Sequence, residues 1–187
     1  MMVASETPLP AEAIMRAIVS ALETASSGPA NGSALVGEAL KGLVALRQRA
    51  AQGDVPVPEE LDRFRRRVAE LLKTGRNPGQ FSQYREHVLE YAERGRYDGY
   101  ELASVGRSAL EFLREDFADL DVFDDMAESD LAEIDEELTA AAEEAPPIRD
   151  VPSWVPESHW WWRAPKRTDM SEEERMERLY GGDIDYR

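Results

Sequence analysis

The chain has 187 residues, 42% of them hydrophobic and 32% charged, with a net charge of −16 at pH 7 and no cysteine. The missing thiols exclude a disulfide framework, a cysteine nucleophile and a cysteine-held zinc or iron–sulfur cluster. A surface this acidic repels phosphate and anionic lipid, so neither nucleic acid nor a membrane is an expected partner, and no apolar run approaches the ~18 residues that cross a bilayer.

Residues 1–8 show no periodicity and are expected to be disordered. From Pro10, Ile14, Ile18 and Leu22 recur at four-residue steps with Met15 and Val19 beside them, the stripe of a first helix. Arg16 interrupts its apolar surface and no basic lead-in precedes it, so it does not have the pattern of a signal peptide, and a cytoplasmic location is expected. Gly28, Pro29 and Gly32 break the helix, and Ser33 is placed to cap a second one carrying Val36, Leu40, Leu43 and Val44. Gly37 and Gly42 either weaken that helix or admit a close neighbour, and mild destabilisation is the expectation.

Pro58 opens a third helix with Leu61, Phe64, Val68, Leu71 and Leu72 on one side, Glu59 and Glu60 in its first turn and Lys73 in its last. Gly75 stops it. A fourth helix carries Phe81, Tyr84, Val88, Leu89 and Tyr91 and ends near Gly95. A fifth, from about Asp98 to Phe117, turns Leu102, Val105, Ala109, Leu110, Leu113 and Phe117 inward, and a sixth runs from about Ser129 to Glu144 on Leu131, Ile134 and Leu138. Four prolines between Pro146 and Pro156 make the next segment extended. Ser171 and Glu174 form a capping box for a short last helix. The pattern predicts an all-α fold: an antiparallel bundle of five or six helices over residues 9–144, with a sub-boundary near 53–58, then an extended Pro/Trp-rich C-terminal arm over 145–187 ending in a short helix.

Chemistry-bearing motifs are scarce. Counted as an EF-hand loop from Asp119, position 5 is Phe123 and position 6 is Asp124, so the ligand pattern and the turn glycine both fail. Neither His87 nor His159 has a glutamate three residues before it, which removes the carboxylate-bridged di-metal motif. Gly106 and Ser108 sit in a helical context without the strand that a nucleophile elbow follows, and no phosphate-binding glycine loop occurs. No catalytic, cofactor or metal residue is therefore assigned. The basic cluster Arg63–Arg67 is surrounded at helix spacing by Glu59, Glu60, Asp62 and Glu70, which explains it as ion-paired helix surface.

Two features point outward. From Glu115 to Glu144 there are fourteen Asp or Glu and no Lys or Arg, which carries −14 of the −16. Such a segment is either a solubilising face or an electrostatic landing surface for a basic partner. All four tryptophans lie in one proline-fenced stretch, Trp154 and Trp160–Trp162. Consecutive side chains diverge, so three adjacent rings cannot share one flat surface. The arm either folds back, with two rings in a groove of its own bundle and the third partly exposed, or it anchors a separate protein. Membrane or single-stranded nucleic-acid binding would have to overcome the charge.

The expected function is that of a non-enzymatic protein-binding module, an inhibitor, immunity factor or adaptor, that engages a basic protein partner. Its candidate contact residues are Trp154, Trp160, Trp161, Trp162 and Arg163 on the strap and Asp121, Asp124, Asp125, Glu128, Asp130, Glu133 and Glu137 on the acidic face. The alternatives are an assembly subunit whose C-terminal arm docks on a neighbouring copy, giving a homo-oligomer, and a carboxylate-based metal protein or enzyme.

Overall fold

The computed structural model describes residues 9–169 and residue 171. It is an all-α fold of six helices: α1 Ala11–Ser26, α2 Gly32–Ala51, α3 Pro58–Leu72, α4 Asn77–Glu93, α5 Tyr100–Asp116 and α6 Asp125–Ala142, with no strand among the described residues. Short 3-10 turns follow at Ala118–Leu120 and Trp160–Trp162. The N-terminal segment 1–8 and the capping-box helix expected beyond Ser171 lie outside the described residues. The chain divides into two compact units, one of residues 1–81 and 112–122, the other of 82–111 and 123–187. The loop at 53–58 is internal to the first unit, and α4 and α5 each contribute residues to both.

In the first unit, Ile14, Ile18 and Leu22 of α1 are buried with Val36, Leu40 and Leu43 of α2, as their spacing requires. The two helices run antiparallel. The Ala11 N–H at the start of α1 donates to Asp54 Oδ2 beyond the end of α2 at 2.9 Å. That bond, and then Arg49, hold the Asp54 carboxyl below its usual range. At mid-helix the backbones approach at Gly42, where a Cβ would lie 2.5 Å from Ile18 Cγ1. Gly42 is thus a packing glycine and not merely a weak helix residue, which corrects the expectation. Ser33 sits in the first turn of α2, and Asn31 takes the capping position without a side-chain bond.

Asn77, fully buried, ties two helix ends together: its amide donates to Leu22 O and to Leu71 O, each at 2.9 Å. Gly75 has φ +59°, and a Cβ there would meet Ser26 Oγ at 2.2 Å, so only glycine fits. Three arginines of the cluster, Arg65, Arg66 and Arg67, pair with acids. Arg66 pairs with Asp62, Arg67 reaches Glu23 at 2.7 Å and Glu70 at 2.8 Å, and Arg65 pairs with Asp119. Burial raises the Asp116 carboxyl above its ordinary value, against the opposing pull of Arg47 and Arg65.

The second unit packs Tyr84, Val88 and Ala92 of α4, Ala103, Ala109 and Leu110 of α5, and Ala127, Leu131, Ile134, Leu138 and Ala141 of α6. Helix α6 starts at Asp125, four residues before the expected start at Ser129, because Asp124 caps it: its Oδ1 accepts from Ala127 N at 2.8 Å. Asp125 and Glu128 then occupy the first turn, where the helix dipole favours negative charge. Leu102, expected inward, is instead 56% exposed, and Tyr91 is also exposed. The buried face of α5 runs instead through Tyr100, Ala103 and Ser104.

Gly42→Val should destabilise the first unit. A valine recovers little helix propensity over glycine, while an overpacked core contact costs about 1–3 kcal/mol. Urea unfolding should show a lower midpoint with an unchanged slope; an equal or higher midpoint would mean that the two helices do not approach as closely as the structure has them.

Candidate functional site

The tryptophan segment leads to a densely bonded polar cluster in the second unit. Residues 160–162 form a single 3-10 turn. With three residues per turn, successive side chains splay about 120° apart. The three rings therefore part company: Trp161 and Trp162 are buried and Trp160 is 38% exposed. Trp154, half-buried, meets Trp162 edge-on with centroids 5.6 Å apart.

What receives the buried rings is one face of α5, where Tyr100, Ser104 and Ser108 recur at four-residue steps. The Ser108 hydroxyl accepts from Trp162 Nε1 at 2.8 Å and from Trp161 Nε1 at 3.1 Å. Trp161 Nε1 also reaches Ser104 O at 3.2 Å. His159 Nδ1 lies 3.0 Å from the same Ser108 oxygen. An indole N–H only donates, and a hydroxyl has two lone pairs and one proton. With both indoles on the oxygen, its own proton is left for the imidazole, which predicts Nδ1 as the acceptor and the Nε2–H tautomer. The Tyr100 hydroxyl donates to Trp161 O at 3.0 Å, and burial pushes its phenol well above the ordinary value. Trp161 stacks on His159 at 4.6 Å, and the Arg107 guanidinium lies 4.4 Å from its ring centroid.

Ser108 and His159 are at the distance of a nucleophile and its base. Both have no exposed surface, and the serine oxygen already accepts from two indoles, so no substrate atom can approach it. The arrangement is a clasp for the strap. Among the described residues no three His, Asp or Glu side chains group as metal ligands would. His87 is exposed on α4.

The expected contact residues are distributed as follows. Trp161 and Trp162 are turned into the chain's own second unit, the fold-back alternative, where their N–H donors find buried acceptors. Trp160 stays out, bordering a depression of about 270 Å³ with Thr139, Glu143 and Lys166. Arg163 donates back to the strap carbonyls of Pro156 and Val155 at 3.2 and 3.4 Å. Asp121 is exposed in a left-handed turn conformation, φ 52°. Asp124 is the α6 cap described above.

On α6 the acids are sorted. Asp130 receives Arg85 Nε at 2.6 Å, and Asp135 receives Arg107 at 2.7 and 3.0 Å. Burial works against the charge of Arg107, but Asp135 and Glu111 outweigh it and its pKa lies above the ordinary value. Asp125, Glu128, Glu133 and Glu136 are exposed, and Glu137 is half-exposed. Sequence reasoning missed Tyr100, Ser104, Ser108 and Arg107 as seats for the strap. The i, i+4 polar row inside an otherwise apolar helix face was the available signal.

No protein-family model, curated protein or solved structure matches this chain.

Ser108→Ala should release the strap. It strands the Trp162 indole donor and the imidazole acceptor and leaves Trp161 only its longer bond to Ser104 O, at about 1–3 kcal/mol for each group left unpaired. The expected result is a red-shifted tryptophan emission and lost near-UV dichroism with far-UV dichroism retained; unchanged emission would show that the clasp does not hold the rings. Nitrogen-15 NMR of the imidazole should find His159 protonated at Nε2 and bare at Nδ1, and the opposite tautomer would refute the bond assignment.

Proposed function

We propose that the chain is a non-enzymatic binding protein that presents the outer face of α6 to a basic protein partner, acting as an inhibitor, immunity factor or adaptor. The observation that carries this is the sorting of charge around one helix. At 3.6 residues per turn, Asp130 and Asp135 flank the buried stripe on its two sides, and each takes an arginine from α4 or α5. Asp125, Glu133 and Glu136 fall within about 80° of one another on the opposite side. That sector is exposed, and the helix itself contains no Lys or Arg to relieve the repulsion.

Acids needed only for the fold would be expected near its cations, as Asp130 and Asp135 are. A row of exposed like charges raises the local negative potential, speeds encounter with a cationic surface and disfavours acidic competitors. Trp160, the exposed ring of the clasp, supplies an aromatic residue of the kind enriched at the energetic centre of interfaces. The buried pair Trp161 and Trp162 supports it from behind and is not itself a contact in this reading.

The test is capture from extract with the intact chain and with an Asp125→Lys/Glu133→Lys/Glu136→Lys variant. The expected result is a basic protein, identified by mass spectrometry, that the wild-type chain retains at low salt and the variant loses. Retention should fall steeply with salt, since screening shortens the reach of charge from about 10 Å at 0.1 M to about 3 Å at 1 M. A partner held equally by both proteins and indifferent to salt would rule the acidic face out as its landing site.

A further inference from the structure

The second unit contains an open groove of about 640 Å³ between the start of α5 and the first residues of the arm. We propose that this groove binds a short extended segment of a protein partner in which an apolar side chain is flanked by Lys or Arg. The inference deepens the reading above, because it takes the partner to be a basic protein, but it places a second contact away from the exposed face of α6.

One wall is Tyr97, Leu102 and Val105, and the other is Pro146, Pro147 and Ile148. Tyr97 is 48% exposed and Leu102 is 56% exposed. Leu102 stands outside the buried face of α5, and it lines the groove together with the exposed Tyr97. The volume is that of a site for a few side chains, within the ~300–1,000 Å³ typical of binding clefts.

The backbone of the arm limits how a partner could be held. Pro146 and Pro147 have no N–H, so this edge cannot donate a continuous strand ladder to an incoming chain. Recognition falls to side chains: an aromatic and proline-lined trough suits an extended peptide whose apolar residues enter it. The charged residues on the groove are Asp98, Glu101 and Asp150 against Arg149, a net negative rim. Such a rim favours cations beside the apolar anchor and opposes an acidic peptide or a nucleic acid.

The groove is also held in shape. Ala145 N donates to Ala141 O at 2.8 Å, and Arg167 N donates to Ala145 O at 3.2 Å, so the arm wall is fastened on both sides just before Pro146. Across the groove, Tyr100 is locked to the strap by its bond to Trp161 O. A Cβ on Gly95 would come within 3.2 Å of Ala141 Cβ, so the floor is closely packed. Walls ordered in advance reduce the entropy lost when a segment binds.

Fluorescence polarisation with the full chain and labelled peptides tests this. The probes are a short repeat of Lys-Leu-Pro, the same repeat with Ser for Leu, and the same repeat with Glu for Lys. The Lys-Leu-Pro peptide should bind, with the other two weaker by about tenfold or more, because anchor and charge are both needed. Tyr97→Ser/Leu102→Ser, two exposed positions, should weaken it by about tenfold without moving the thermal midpoint. The Asp125→Lys/Glu133→Lys/Glu136→Lys variant should leave it nearly unchanged. No binding by any peptide, equal binding of the Ser or Glu repeat, or indifference to the Tyr97/Leu102 pair would each overturn the proposal. Loss of the peptide in the α6 variant alone would also overturn it, while leaving the acidic-face reading intact. Conversely, failure of the α6 variant to release a captured partner would sink that reading and not the groove.

Discussion

One serine hydroxyl gathers the buried rings of the C-terminal strap. Burying an indole removes a large apolar surface from water, but it also removes an N–H donor, and that donor must find an acceptor or forfeit about 1–3 kcal/mol. Ser108 accepts from both buried tryptophans and addresses the imidazole of His159 with its own proton. Three rings on one oxygen explain why a serine is tolerated deep inside α5, a helix position where it has no propensity advantage. They also explain why the tryptophans are adjacent. A 3-10 turn aims neighbouring side chains in different directions, so two can converge on α5 from a short length of chain while the third turns away.

Arginine does the comparable work for the acidic helix. An uncompensated buried carboxylate or guanidinium is expensive, and each offsets part of the other's cost when they meet with good geometry. Arg85 and Arg107, both about 5% exposed, guard the two edges of the α6 core stripe through Asp130 and Asp135. Arg107 has a further contact over the Trp161 ring. It therefore joins α6 to the strap: the cation that settles an acid of the helix is the one that covers a ring of the clasp. The consequence is a division of the acidic segment into carboxylates committed to the fold and carboxylates left to solvent.

Helix existence and most core faces were legible, because Ile14, Ile18 and Leu22 on α1, or Phe64, Val68 and Leu72 on α3, repeat at a period only a helix produces. The return of the arm with two rings inside and one out was among the outcomes that side-chain divergence allowed. Its seat was not legible. Ser104 and Ser108 look like ordinary helix serines until residues some fifty positions later arrive to use them. The start of α6 was missed for a local reason: Asp124 and Asp125 suggested a solvated loop, when an aspartate cap followed by acids in the first turn is also how a helix begins. Gly42 and Leu102 were misassigned for a shared reason. Whether a glycine is a contact or an apolar residue is exposed depends on the neighbouring element, and periodicity along one helix carries no information about that neighbour.

The clasp and the groove are linked through the arm. Residues 145–150 form one wall of the groove, and the segment that follows them ends in the docked tryptophans. A ligand that needs that wall in place binds the docked state better than the released one, and by linkage it strengthens docking by the same factor. Docking in turn depends on Ser108, which touches no ligand. For the proposed groove, a polar residue in the interior of α5 would thereby set the affinity through the fraction of molecules in which the strap is closed. The four tryptophans and their fencing prolines are then understood together: instead of the extended segment expected, the connecting chain turns at Pro152 and Pro156, whose carbonyls accept from Val155 N and His159 N, and the rings bury the apolar surface that holds it against the helices.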